Sequence, residues 1–260
     1  IGPHNHYPRA SEVISVLMRR PHYIKVNMNG ERFVDESLPL TEEFGWMQCV
    51  SVDRQPGKLS YSILSEANVR ELENGTEYMP ARQDNSSQID NPGMFGPGPD
   101  FEEGQDRMTW RKRIRQHLAY EEERGIVKKC ETLEEAAAWI GCDPETLKKT
   151  VSDYNDYCHR GYDMEFLKDP LYLTPCEEGP YYVILGRSGL DSCLGGVIID
   201  NRQRVLKTDG HVIPGLYAAG VLTSGWCAGR YAFFGSEMSY TIFSGRNSAE
   251  EAVKYIQKKG

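Results

Sequence analysis

The sequence of 260 residues is poor in several features, and each shortage closes off a class. No apolar run approaches the ~18 residues that span a bilayer, and the N-terminus has no basic segment followed by an apolar one, so a soluble chain is expected. Basic residues do not dominate: 30 Lys and Arg against 38 Asp and Glu leave a net charge of -8, which argues against nucleic acid as a partner. The seven cysteines (Cys49, Cys130, Cys142, Cys158, Cys176, Cys193 and Cys227) are scattered, odd in number and without a CxxC pair. Neither a metal site nor a disulfide framework is expected from them, and reduced thiols in a cytoplasm are the default. The strand–GxGxxG–helix fingerprint that cradles a dinucleotide pyrophosphate is also missing. What remains is ordinary globular composition, 39% hydrophobic and 26% charged, enough for one large domain or two modest ones.

The stretch that organises the rest is PGLYAAGVLTSGWCAGRYAFFGSEMSYTIFSGR, Pro214 to Arg246. Leu216 to Ala219 reads as a short buried strand ending at Gly220; a glycine-rich aromatic loop follows, and Gly235 opens a run with helical spacing. Met238, Ile242 and Phe243, continued by Ala249, Ala252 and Val253, fall on one helical face, which predicts packing of that face against a sheet. The first turn of such a helix carries unpaired N–H groups and the positive end of the dipole. A strand, a glycine loop and a helix start make a place to bind something flat and anionic.

Together with GGVIIDNRQRVLKTDGHV upstream, this segment closely resembles the C-terminal part of the flavoproteins related to fumarate reductase and 3-ketosteroid dehydrogenase. The resemblance implies an FAD site, with Gly195, Gly196, Gly220, Val221, Gly235, Ser236, Glu237 and Met238 on the cofactor side. It also implies that the helix near Gly235 aims its N-terminus at the pyrimidine end of the flavin, where reduced flavin carries negative charge. Many relatives have a glutamate where Val221 stands, so the hydrogen bond to the ribityl chain would be lost. Because the GxGxxG half is missing and the chain opens on Ile1, the expected fold class is α+β: a capping domain followed by the C-terminal strands and helix of an FAD-type α/β domain, without its N-terminal Rossmann half. The expected boundaries are 1–20 for the end of an FAD-domain segment, 21–178 for the cap with a loop at 74–104, and 179–260 for the C-terminal part of the FAD domain. The missing half would then be a partner, and a homo-oligomer is also open.

Along the chain, Ser11 to Met18 has helical spacing, and Tyr23 to Asn27 and Arg32 to Asp35 read as two strands joined by the Asn29-Gly30 turn. Leu59 to Leu64 reads as a buried strand, with Ser65 capping the helix after it. Asp106 to Glu123 reads as one charged helix with Arg111, Lys112, Arg113 and Arg115 on a solvated face. Thr132 with Glu135 forms a capping box, Gly141 ends that helix, and Asp143-Pro144 starts the next, on which Leu147, Val151 and Tyr154 share a face. The hairpin resembles the family's RFVNE entry to the cap, and the helical pair with the following GYDMEF resembles its GxDP and GxDxxF signature.

Candidate site residues follow from the same resemblance. Tyr231 and Gly235 align with the ketosteroid dehydrogenase tyrosine and glycine that bind the substrate carbonyl, where two donors stabilise developing negative charge; packing of Tyr231 beneath the cap is the other reading. Arg230 lies one or two places from the arginine with which fumarate reductases clamp a carboxylate. His4, with His6 second, is the nearest match to their substrate histidine, or else a surface residue. Asp191 stands near another such histidine and would repel a dicarboxylate, or else occupies an exposed turn. The position of the family's proton donor is Leu40, which can neither give nor accept a proton; Glu42, Glu43 and Tyr61 are near enough in sequence to replace it. The expected function is part of an FAD-dependent oxidoreductase that forms or reduces a C=C bond next to a carbonyl. A reductase of an unsaturated carboxylic acid and an inactive fragment or interaction module are the alternatives.

Overall fold

The computed structural model describes residues 12–18, 20–38, 51–76, 109–187, 195–223, 225 and 236–259. The chain divides into two compact units, Ile1–Ser188 and Gly189–Gly260. Among the described residues, no helix is long and apolar enough to cross a membrane.

The first unit is built on an antiparallel sheet of β1 (Ile24–Val26), β2 (Leu59–Leu64), β3 (Val127–Cys130) and β4 (Tyr181–Arg187), in the order β1-β2-β4-β3. β4 pairs along its length with β2, Leu64 facing Tyr182 and Leu59 facing Arg187, and on its other side with β3, Cys130 facing Tyr181. Its sequence YYVILG is apolar without interruption because both faces of the sheet are covered. The period of two still sorts its side chains. Tyr182 and Ile184 join a core with Val13, Ile14 and Leu17 of α1 (Glu12–Leu17), Val69 and Leu72 of α2 (Glu66–Asn74), and Ile114 and Leu118 of α4. Helix α4 spans Ile114–Glu123 and follows the short α3 (Thr109–Lys112). Tyr181, Val183 and Leu185 join a second core with Ala136, Ala137 and Ile140 of α5 (Leu133–Ile140) and with Leu147, Val151 and Tyr154 of α6 (Pro144–Arg160). β4 is thus the inner strand that carries both cores of this unit.

Local chemistry sets the helix ends. Ser65 Oγ accepts from Asn68 N–H while the Asn68 side chain accepts from Ser65 N–H, a full capping box. Asp143 accepts from Thr146 N–H ahead of Pro144, and Gly141 closes α5 in the left-handed region. At Thr132 the box is displaced: Thr132 Oγ1 accepts from Glu135 N–H, but the Glu135 carboxylate takes the N–H of Glu131, one residue before the cap.

Four expectations change. The hairpin is reduced to β1 and one bridge, Val26 to Arg32, because Arg32 turns inward rather than continuing a strand. The charged helix is broken at Arg113, and Arg111 is buried, donating to the Leu72 carbonyl. Arg115 is held in a fork between Glu66 and Glu73, so that Arg111 and Arg115 tie this segment to α2 while Lys112 stays exposed. Tyr61 lies in the core of β2, edge-on to Trp139 at 5.8 Å, which removes it as a proton carrier. His117, which sequence did not single out, is buried on α4, and burial pushes its imidazole down to about 4, with the Arg113 charge assisting. It is a neutral core residue.

The second unit pairs β5 (Arg204–Leu206) with β6 (Val212–Tyr217) and packs the long helix α7 (Ser236–Lys259) against β6 and the short turn Gly220–Leu222. Here the sequence reading of the face is reversed. Met238, Ile242, Phe243 and Val253 are 71%, 69%, 61% and 52% exposed, whereas Ser244 is buried and donates no face to solvent. The contacts of α7 are instead made by small and polar groups: Gly220 N–H donates to Ser244 Oγ, Tyr217 O–H to the Glu251 carbonyl, and Tyr255 lies over Gly215. The expected buried strand is also corrected, since β6 is largely exposed, Leu216 at 47%. A two-stranded ribbon offers one helix too little apolar surface to bury the stripe.

Ile184 is fully buried at the middle of β4. Ile184→Ala is expected to lower the stability of the first unit by about 2–5 kcal/mol in chemical denaturation, through lost contacts and the cavity left behind.

Candidate functional site

In the second unit the structure brings several of the expected cofactor-side residues together. Gly196 bridges Thr223, and Val197 N–H donates to the Leu222 carbonyl, so the 195–197 strand runs beside the turn 220–223. Gly196 has φ 110, and a methyl group built on it would overlap the Leu222 carbonyl oxygen. Only glycine permits this approach. Gly220 has φ 69 and is fastened to α7 through Ser244, while Thr223 Oγ1 lies 2.9 Å from the Tyr240 hydroxyl. Gly195, Gly196, Gly220 and Val221 are therefore gathered around the turn 220–223, which is tied to α7 at Tyr240, Thr241 and Ser244, in the second and third turns of the helix.

The fit of a flat anionic group to these residues can be judged from their surroundings. The Cβ direction of Gly195 is open, with nothing within 4 Å, Val221 is 38% exposed, and Met238 is 71% exposed. The close approach at Gly196 is filled by the Leu222 backbone, so no side chain fits there. The helix of 24 residues carries the positive end of its dipole at its N-terminus, a turn before these contacts. These features accommodate the group. Tyr231, Gly235, Arg230, His4, Asp191, Leu40, Glu42 and Glu43 lie outside the described residues.

The first unit contains an electrostatic centre that sequence reasoning missed. Arg32, Glu36, Asp163 and Lys168 are each 5% exposed or less as residues, and their side chains are fully covered. Arg32 donates to Glu36 through Nε at 3.1 Å and Nη2 at 2.8 Å, and to both Asp163 oxygens at 3.1 and 2.9 Å. The guanidinium lies over the Tyr154 and Phe166 rings at 4.9 and 5.0 Å. Lys168 Nζ donates to the Tyr154 hydroxyl at 2.7 Å and lies 3.6 Å from Glu36. Glu36 further accepts from Lys25 N–H on β1, and Asp163 accepts from the N–H groups of Glu165, Phe166 and Lys168. Two buried cations face two buried anions, with the partly exposed Glu165 a further 3.5 Å from Arg32 Nη1; mutual pairing of this kind is the condition under which buried ions are tolerated. Its sequence signal was the i,i+4 pair Arg32 and Glu36 together with Asp163, all inside motifs read only for their resemblance.

Burial pushes the Glu36 carboxyl up, but the charges of Lys168 and Arg32 and the bonds from Arg32 and Lys25 outweigh it and hold the group below the usual carboxylate range. Asp163 is likewise raised by burial and lowered further by Arg32 and two backbone N–H groups, ending below its ordinary value. Lys168 is pushed down by burial, which the Glu36 charge only partly offsets.

Two predictions follow from these arrangements. Gly196→Ala is expected to destabilise the second unit by at least about 2 kcal/mol, since both the positive φ and the overlap with backbone must be relieved; circular dichroism melting of the variant checks it. For the carboxylates, a folded-state pKa below the unfolded one gives stability that is full above about pH 4.5 and is lost as the pH falls through the carboxylate range. Asp163→Asn should therefore make the fall in unfolding free energy between about pH 5 and pH 2 shallower by up to roughly one proton, measured by urea titrations across that range.

The family described as FAD binding domain matches residues 1–236. Vinyl phenol reductase of Lactiplantibacillus plantarum is 25% identical over 252 residues, covering 96% of this chain and 46% of that protein. Fumarate reductase (cytochrome) of Shewanella frigidimarina is 35% identical over 134 residues, covering 52% of this chain and 23% of that protein. Among solved structures, the 3-ketosteroid delta1-dehydrogenase of Sterolibacterium denitrificans in complex with 1,4-androstadiene-3,17-dione has a TM-score of 0.60 at 22% identity, covering 91% of this chain and 40% of that one; it bears on the fold alone. The chain spans less than half the length of each of these relatives. With the match to the family running over most of its length, this chain belongs to the FAD binding domain family of flavoproteins.

Proposed function

We propose that this chain is the capping and C-terminal part of an FAD-dependent oxidoreductase that forms or reduces a C=C bond conjugated to a carbonyl or phenolic oxygen. The observation that carries the reading is the gathering of Gly195, Gly196, Gly220 and Val221 around one turn fastened to α7, within a chain of the FAD binding domain family. The exposed stripe of Met238, Ile242, Phe243, Val253 and Ile256 supports the rest of the FAD domain, the dinucleotide-binding half, as the partner that covers α7. Bound FAD would supply hydride transfer. The protein's own part is to orient the substrate: Tyr231 O–H and Gly235 N–H donate to its oxygen, so that charge developing there is stabilised while the adjacent C–H is acidified or the β-carbon accepts hydride. Leu40 leaves the proton to another group. The likeness to vinyl phenol reductase over nearly the whole chain favours a flat conjugated substrate.

A second reading, favoured by the 35% identity to fumarate reductase over half the chain, has Arg230 clamping the carboxylate of an unsaturated acid. Asp191 argues against a dicarboxylate by repulsion.

The test is the absorbance near ~450 nm of the chain with FAD, alone and with the dinucleotide-binding half supplied, followed by turnover on vinylphenol, enone and unsaturated-acid panels. A flavin band with both halves and turnover on the first two panels are expected, with Tyr231→Phe lowering kcat by about 10²-fold. Turnover on acids alone, abolished by Arg230→Met, would favour the second reading. A flavin band without turnover on any panel would sink both readings and leave a binding or inactive module.

A further inference from the structure

We propose that Glu36 and Lys168, with Arg32 and Asp163, act as positioning residues that hold the chain leaving β1, residues 35–38, in one direction against the loop 161–169. The inference rests on the reading above only for the chemistry that this segment serves, because the chain runs on from Leu38 toward Leu40, Glu42 and Glu43.

Three observations carry it. The first is placement. The four charges join elements distant in sequence: the edge of β1 through Lys25 N–H to Glu36, helix α6 through Tyr154, and the loop after α6 through Asp163 and Lys168. Residues 35–38 are held from within by Ser37 N–H on Asp35 Oδ1 and Leu38 N–H on the Asp35 carbonyl, and from the loop by Asp169 N–H on Ser37 Oγ at 3.5 Å. The second is that the loop is turned inside out. Its charged Asp163 and Lys168 are buried, while Tyr162, Met164, Leu167 and Leu171 are more than half exposed. Leu167 adopts φ 59, a conformation that a leucine takes only when its surroundings impose it. The hydrophobic effect alone would fold this loop the other way, so the ion cluster dictates its course.

The third is redundancy. The unit already has two apolar cores on its sheet, and a buried ion cluster adds little net stability over apolar packing of the same volume. What such a cluster contributes is a unique geometry, because two forked carboxylates accept one guanidinium in few orientations.

Amide hydrogen exchange on the 260-residue chain decides the matter. In Glu36→Ala the amides of Lys25, Ser37 and Leu38 should exchange at least about 10-fold faster, with those of β2 and β4 within about threefold of wild type. Lys168→Met, which leaves the Arg32 fork in place, is the milder variant. It should speed Ser37 and Leu38 by about threefold or more, and Lys168→Arg should restore them. Uniformly faster exchange across the unit, or unchanged exchange at these three amides, would overturn the proposal.

In the flavin-loaded two-part protein, Lys168→Met should lower kcat by about 10-fold with KM within about twofold. Unaltered kcat beside locally faster exchange would also overturn it. Absence of any wild-type turnover would instead refute the reading under Proposed function, and the exchange pattern would still decide whether the cluster holds the segment.

Discussion

Strand β4 is the constraint on which the first unit rests. It is bonded on both edges, to β2 and β3, and its side chains alternate between two separate apolar cores. A strand used in this way must be apolar at every position, since neither face meets water. The helices on either side then follow from their own periodicity: α5 and α6 present Ala137, Ile140, Leu147 and Val151 to one face, and α1, α2 and α4 present Leu17, Leu72 and Leu118 to the other. Asn155 enters beside these cores with its amide bonded to both backbone groups of Cys176.

The cluster around Arg32 belongs to a different order of design. Its members come from two short motifs separated by well over a hundred residues, and it places four charges where water does not reach. The cost of removing an ion from water is several kcal/mol, and only complete pairing offsets it. Here the pairing is complete: Glu36 and Asp163 each accept from Arg32 and from backbone N–H groups, and two aromatic rings cover the guanidinium faces. The exposed apolar side chains of the 161–171 loop are the counterpart of that burial.

In the second unit the same hydrophobic argument leads elsewhere. An amphipathic helix ordinarily buries its apolar stripe, yet α7 packs through Ser244, Thr241, Tyr240 and Tyr255 and leaves the stripe outward. Small residues let the turn at Gly220 approach the helix closely at Thr241, and Gly196 lets the neighbouring segment approach the Leu222 backbone of the same turn. The close side of α7 shapes the candidate site. The apolar side is surface of the kind that a further layer of structure covers.

Read by itself, the sequence determined the family, the strand at 59–64, the caps at Ser65 and Asp143, the αL glycine at 141 and the shared face of Leu147, Val151 and Tyr154, because each is a local matter of periodicity, backbone conformation or capping within a few residues. It also marked Gly196 and Gly220, which meet around the turn 220–223, since close backbone approach and positive φ demand glycine whatever the fold around them. Only the tertiary structure decided that Arg32 leaves its strand to join Asp163, that Tyr61 is core rather than a proton carrier, that Arg111 is buried, and which side of α7 faces its own unit. Those outcomes depend on partners far away in the chain, and periodicity can say which residues share a face but not which face finds a partner.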